Sequence, residues 1–331
     1  MTERTAPAVA PRPSLHARVW DEPSGREPPT MRKPAVYVLA AATVLVLGAN
    51  WPIMAEGVDL IAPLWLATFR MIGAALVIAV VLSVQGRLSV PTRGDRSIWL
   101  SIGLARLALV TALVFVALRF VPPGRSSILA YTGALWTAPL AAIFLHERLT
   151  SLRLMGLALG TVGLFTLLEP WSLDWGDTQF LIGTAMLLVA AIGNASTTVH
   201  IRGHRWIGSP IELMPWQLGL AAIPIAALAV ALEGAPDVTW TAGTIAIVAY
   251  QVLLGSAFGL WGLLTIGRSL PAITANLSVM AVPVVGLATS VVFVDEPLTV
   301  WVVVGLILVL GGVALGLLSD RLRAEGVLPP P

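Results

Sequence analysis

Leu145-His146-Glu147-Arg148-Leu149-Thr150 returns 149 residues later as Val294-Asp295-Glu296-Pro297-Leu298-Thr299. The agreement spreads outward from this junction. Upstream, Pro122 and Phe144 fall on Pro271 and Phe293. Downstream, Gly156-Leu157, Leu159 and Gly163 fall on Gly305-Leu306, Leu308 and Gly312. The whole segment from Arg119 to Gly163 thus recurs between Arg268 and Gly312. The chain is two copies of one unit.

Composition says what surrounds those copies. Of 331 residues, 57% are hydrophobic and 11% charged, with mean hydropathy +0.87. Soluble domains carry about 25% charged residues, so this chain cannot clothe a water-exposed surface. A bilayer core about 30 Å thick needs about 20 apolar residues per helix. Ten stretches qualify, at about Pro34–Met54, Leu60–Val84, Ser97–Leu118, Gly124–Leu145, Leu152–Leu168, Phe180–His200, Ile211–Leu232, Thr241–Ile266, Pro271–Val294 and Val300–Ser319. The predicted fold is therefore an all-α integral membrane bundle of ten transmembrane helices. Its units are 34–168 and 180–319, flanked by tails at 1–33 and 320–331. The first tail is Pro-rich and charged, which predicts disorder. Met31-Arg32-Lys33 directly before the first apolar run reads as an alternative start.

Basic residues orient the bundle, because Lys and Arg accumulate in cytoplasmic loops. With the N-terminus inside, the inner loops hold Arg87, Arg93, Arg96, Arg148, Arg153, Arg202, Arg205 and Arg268, and the outer loops only Arg119 and Arg125. Both termini are expected in the cytoplasm and the chain in the inner membrane. Five helices separate equivalent positions, an odd number, so the two repeats must be inverted. Inverted hydrophobic repeats are the sequence signature of a secondary transporter working by alternating access, with its small-molecule site between the halves.

The duplicated junction also resembles a known family. Glu147-Arg148-Leu149-Thr150 and Glu296-Pro297-Leu298-Thr299, each before a Gly-rich helix, are similar to the GE-x-L-T junction of the EamA family in the drug/metabolite transporter superfamily. Gly48-Ala49-Asn50-Trp51, with Gly193-Asn194-Ala195 as its counterpart, resembles that family's first-helix element, and Leu66-Ala67-Thr68-Phe69-Arg70 its helix-2 arginine segment. The resemblance implies a carrier of small organic metabolites, exporting amino acids or related compounds; nucleotide-sugar or lipid-carrier translocation, found in the same superfamily, is the alternative. Two departures stand out. The helix-4 proline is present as Pro283 but is Ala134 in the first half, where Pro139 displaces any kink, and helix 3 carries Arg106 where a small residue is usual.

Within this frame the polar residues are few enough to weigh singly. A charged side chain at the bilayer midplane is costly, about 2.5–3.5 kcal/mol on insertion scales, and must face the interior. Arg106 either clamps a substrate carboxylate or phosphate with its planar fork or bonds carbonyls freed at a kink. Arg70 is expected to anchor packing. Asn50 and Asn194, at matching depths, either line the cavity or tie helices together. Trp51, Trp136 and Trp261 lie inside helices, where they stack on a flat substrate or simply pack. Tyr131 and Asn276 complete the candidate substrate contacts. Glu147 and Glu296 read as junction caps or gates, and Glu212 is the deepest acid for proton coupling; facilitated diffusion or exchange is favoured over proton antiport.

Other patterns carry less. Gly156-x-x-x-Gly160 and Gly312-x-x-x-Gly316 are small faces that serve as scaffold or dimer contact, in a monomer or homodimer. His200 and His204 have the spacing of two metal ligands but sit in a basic loop, so no metal is expected. There is no cysteine, no P-loop and no Gly-x-Ser-x-Gly, which leaves enzymatic chemistry without carriers. No cofactor and no nucleic acid are expected either. A membrane enzyme, the reading from another class, needs ionisable groups clustered at one interface, and here they are scattered.

Overall fold

The computed structural model describes residues 33–146, 149–169, 171, 177–204, 207–270 and 272–325. Ten helices long and apolar enough to cross a membrane run through them. They are α1 (Pro34–Leu60), α2 (Pro63–Val84), α3 (Arg93–Ala117), α4 (Pro123–Phe144), α5 (Ser151–Leu168), α6 (Thr178–Gly203), α7 (Pro210–Glu233), α8 (Ala242–Ser269), α9 (Thr274–Phe293) and α10 (Val300–Ser319). An even number of crossings returns the chain to the end where it began. That end is the terminal end; the opposite one is the far end.

Local chemistry sets the helix starts. Pro63, Pro123 and Pro210 open α2, α4 and α7, where a missing N–H costs nothing. α1 continues through Glu56-Gly57, in the gap between the expected stretches Pro34–Met54 and Leu60–Val84. The bare face of Gly57 packs on Leu66, whose Cδ2 lies 2.6 Å from where a Cβ would stand. Close packing, not propensity, keeps this segment helical.

α5 and α10 form the most extensive helix pair of the bundle. A Cβ on Gly156 would stand 2.5 Å from the Gly312 carbonyl oxygen, and one on Gly312 would stand 2.5 Å from that of Gly156. The small faces therefore meet each other within one chain. The two motif threonines close the seam reciprocally. Thr150 caps α5, with its Oγ1 accepting from Arg153 N at 3.2 Å and lying 2.6 Å from Ser319 Oγ at the end of α10. Thr299 accepts from Val302 N at 3.2 Å and donates to Glu169 Oε1 at the end of α5. His146 and Asp295, the residues before the motif glutamates, adopt φ of 55° and 50°. That left-handed turn is natural for glycine, which accounts for a glycine-led junction in the family.

α2 packs on α7, and each also packs on the middle of the other half's third helix. Those middles are π-helical, at Ser101–Leu109 in α3 and Tyr250–Phe258 in α8. The two stretches are nine residues each and coincide under the 149-residue repeat. Packing across the two crossings is reciprocal. Gly73 of α2 receives Val252 of α8, while Gly103 of α3 receives Leu220 of α7, whose Cδ2 lies 2.8 Å from the Cβ position. Gly73 and Leu220 each stand ten residues after the proline that opens their helix. The same knob and hole have exchanged sides.

One element breaks the symmetry. α4 is interrupted at Thr132 into Pro123–Tyr131 and Gly133–Phe144. The break precedes Pro139 by two turns and lies two residues before Ala134, so the interruption falls near the usual helix-4 proline position and not at Pro139. The first segment lies along α9 at the far end, where Ser127 Oγ reaches toward the Pro283 carbonyl at 3.5 Å. The second segment leaves α9 and packs on α6 instead. Among the described residues the bundle is closed between α4 and α9 at the far end and parted there at the terminal end.

Candidate functional site

Beside the two π stretches the bundle holds its deepest polar groups. Arg70, two turns into α2, is held entirely by neutral partners. Its Nε donates to Ser256 Oγ at 2.6 Å, Nη1 to Gln251 Oε1 at 3.3 Å and to Met54 Sδ at 3.2 Å, and Nη2 to the Gly255 carbonyl at 3.2 Å. The guanidinium carbon lies 5.5 Å from the centroid of the Phe115 ring, within cation–π range. The three oxygen acceptors come from the π stretch of α8, and the thioether from α1.

Arg106 is different. It stands sixth in the π stretch of α3, near the middle of its span. Among the described residues no hydrogen bond or ion pair to protein engages its guanidinium. Its neighbour is Tyr131, at the end of α4's first segment, which lies within electrostatic reach of both Arg106 and Arg70. All three side chains are surrounded by protein yet retain accessible surface. Each of the three thus sits deep in the bundle without being sealed into packed core.

The repeat explains how two arginines come within reach of one phenol. Gly255 is the counterpart of Arg106 under the 149-residue repeat, and Gln217, seven residues after Pro210, is the counterpart of Arg70, seven after Pro63. One crossing therefore sets an arginine of α2 against a glycine of α8. The other sets a glutamine of α7 against the stretch that carries Arg106. Gln217 is buried and its Nε2 has no partner among the described residues.

The remaining candidates distribute unevenly around this centre. Asn50 is 4% exposed, and its Oδ1, without a partner among the described residues, faces Gly255, 2.4 Å from where a Cβ would stand. Asn194 lies across from Gly133, just past the α4 break, 3.7 Å from its Cβ position. Trp51 is buried against Gly286. Trp136 is half-buried, with an indole N–H that finds no partner among the described residues. Trp261 is 39% exposed and lies against Phe258. Asn276 is exposed near the start of α9. No contact joins those last two to the arginines among the described residues. Gln251, Ser256, Gln217 and Phe115 complete the centre and are absent from the sequence reading, although polar side chains in mid-span were a usable signal.

Acids close the far end from one half onto the other. Glu296 accepts from Gly124 N at 2.6 Å and Arg125 N at 3.1 Å, so its carboxylate caps α4 of the other repeat. Burial pushes its carboxyl above the ordinary range, against the opposing pull of those two N–H donors and of the Arg125 charge. Arg125 also pairs with Glu169 at 3.1 Å. Glu233 likewise accepts from Leu64 N at 2.9 Å and Trp65 N at 3.1 Å at the start of α2. Glu296→Ala should lower thermal stability in detergent by about 1–3 kcal/mol, because two helix N–H groups lose a buried acceptor. Glu296→Gln keeps an acceptor oxygen and should recover part of that loss. Glu147 lies outside the described residues.

At the terminal end Glu212 accepts from Ser89 Oγ at 2.8 Å and lies 3.6 Å from Arg87. It is a surface tie to the α2–α3 connection. His204 lies 3.2 Å from Asp95, whose carboxylate also accepts from Ile207 N at 3.0 Å, Gly208 N at 2.6 Å and Thr92 Oγ1 at 2.9 Å. The fold thus brings the histidine pair a carboxylate that the sequence keeps far away. Among the described residues no group of three His, Cys, Asp or Glu gathers around a common point.

Comparison with known proteins places this architecture. The sequence profile of the EamA-like transporter family matches residues 34–168 and 181–318. A protein of Salmonella typhimurium named "Probable amino-acid metabolite efflux pump" is 30% identical over 296 residues, covering 86% of this chain and 95% of its own. A protein of Escherichia coli with the same name is 30% identical over 297 residues, covering 86% and 96%. An uncharacterized transporter of Bacillus subtilis, YoaV, is 24% identical, covering 82% and 93%. A solved crystal structure shares the fold, with TM-score 0.61 at 19% identity, and covers 87% of this chain and 99% of its own. Two matched halves, ten crossings and the paired Glu-x-Leu-Thr junctions agree: the chain belongs to the EamA-like transporter family, a multi-pass membrane transporter and not an enzyme.

Proposed function

We propose that this transporter moves amino acids or related small metabolites outward across the bacterial inner membrane by alternating access, with Arg106 as the substrate clamp. The observation that carries the reading is a mid-membrane guanidinium that no protein group engages among the described residues. An arginine in hydrocarbon is retained only with a partner, and in this proposal the open partner position faces a substrate chamber between the halves. A substrate carboxylate fits the fork in a bidentate, charge-assisted bond. The excess of Arg in the loops at the terminal end supports a cytoplasmic position for that end. In this orientation the parted α4–α9 edge opens the chamber inward, and the Glu296 and Glu233 caps close it outward. The outward-open state follows from the inverted repeat, when each half takes up the other's packing. The names of the Salmonella and Escherichia relatives support amino-acid metabolites as cargo.

Coupling follows from the same residues. Among the described residues, no carboxylate lies more than five residues inside a span, and arginine does not release its proton in proteins. The substrate's own gradient is therefore the driving force in this proposal. Reconstituted protein in liposomes loaded with an amino-acid and derivative panel should show exchange without an imposed pH gradient. Uphill accumulation that requires such a gradient at zero membrane potential would replace this coupling with proton antiport, and its loss in Glu212→Gln would name the residue. Failure of every panel member to exchange would reject the cargo.

A further inference from the structure

Among the described residues, Arg70 and Arg106 are the ionised side chains that lie more than five residues inside a span. Neither is neutralised. Arg70 donates to a hydroxyl, an amide oxygen, a thioether and a backbone carbonyl, and Arg106 to no protein group among the described residues. Both stand within electrostatic reach of the same phenol, Tyr131. A zwitterion brings one carboxylate into this chamber, but it also brings an ammonium that finds neutral acceptors only. Among the described residues such an acceptor stands at Asn50 Oδ1, buried and unpartnered beside Gly255. In a low-dielectric bundle like charges repel strongly, so that ammonium works against binding.

We infer that the chamber selects small carboxylates carrying net negative charge, such as N-acylated amino acids, over the zwitterionic amino acids themselves, and rejects cations. The inference rests on the carrier reading and sharpens its cargo. It differs from a lone clamp at Arg106 in giving Arg70 a second role. Held at a fixed place by four acceptors, Arg70 supplies charge without releasing its own partners.

The test uses one scaffold in four charge states, on leucine and again on phenylalanine: the free amino acid, its N-acetyl acid, its amide, and its N-acetyl amide. Each competes for exchange in proteoliposomes holding the full-length protein. The N-acetyl acid should compete at about ten-fold lower concentration or better than the amino acid, a difference of about 1.4 kcal/mol. The cationic amide should not compete. Arg70→Gln should narrow the gap between N-acetyl acid and amino acid, a change of selectivity that a purely structural arginine would not produce. If the amino acid competes best, or the amide competes at all, the charge inference fails while the carrier reading stands. If no compound on either scaffold exchanges, both fail together.

Discussion

Replacing Arg106 by alanine is expected to cut carrier-mediated exchange about a hundred-fold or more, while folded protein still reaches the membrane. Removing one side of a buried charge pair costs about 2–5 kcal/mol, and here the lost pair is the one made with substrate. The fold should tolerate the change because no protein partner among the described residues is orphaned by it. Arg106→Lys keeps the charge without the planar fork and should retain partial exchange. Arg70→Ala makes the contrast. It strips Ser256, Gln251 and the Gly255 carbonyl of their donor, so stability should fall along with transport. Paired flux and thermal-melting measurements on the three variants separate these outcomes. Wild-type exchange in Arg106→Ala would reduce the residue to a structural one.

The second large effect belongs to the scaffold. Gly312→Val should destabilise the bundle by about 3 kcal/mol or more, at or beyond the usual range for overpacking. Its Cβ would stand 2.5 Å from the Gly156 carbonyl oxygen and 2.7 Å from Gly160 N. Both obstacles are backbone, so relief requires α5 and α10 to part. Gly316→Ala is the control. Although the sequence pairs it with Gly312 in one small-xxx-small motif, its Cβ meets nothing within 4 Å, and the change should be neutral within about 0.5 kcal/mol. Monodispersity and melting temperature in detergent read both variants.

Much of the fold is legible in the sequence because hydrophobic length and inverted repetition are written in residue types. The GE-x-L-T junction is legible as a motif, but its mechanics are not. Its threonines cap α5 and α10, and Glu296 caps a helix of the opposite repeat, a contact spanning 172 residues. The π stretches leave no compositional mark. An extra residue per turn changes which side chains face inward without changing which residues are present. Counterparts at the centre were obscured for a related reason: α2 and α7 align two residues out of step with the rest of the repeat, so Arg70 meets Gln217 only after their opening prolines are superposed. Asn50 and Asn194 match in depth but not in surroundings, since one faces Gly255 of α8 and the other Gly133 of α4.

The most direct test of alternating access exploits the absence of cysteine from this chain. Ala134 is exposed on the second segment of α4, three residues after Tyr131. A single cysteine there, in oriented vesicles, reports which side of the membrane reaches the chamber. At rest, a membrane-impermeant maleimide should label it from the cytoplasmic side alone. During substrate exchange it should also become reachable from the opposite side, and never from both at once under a saturating non-transported inhibitor. Equal labelling from both sides at rest would describe an open channel, and labelling from the external side alone would reverse the closed and open ends; either result would contradict the account.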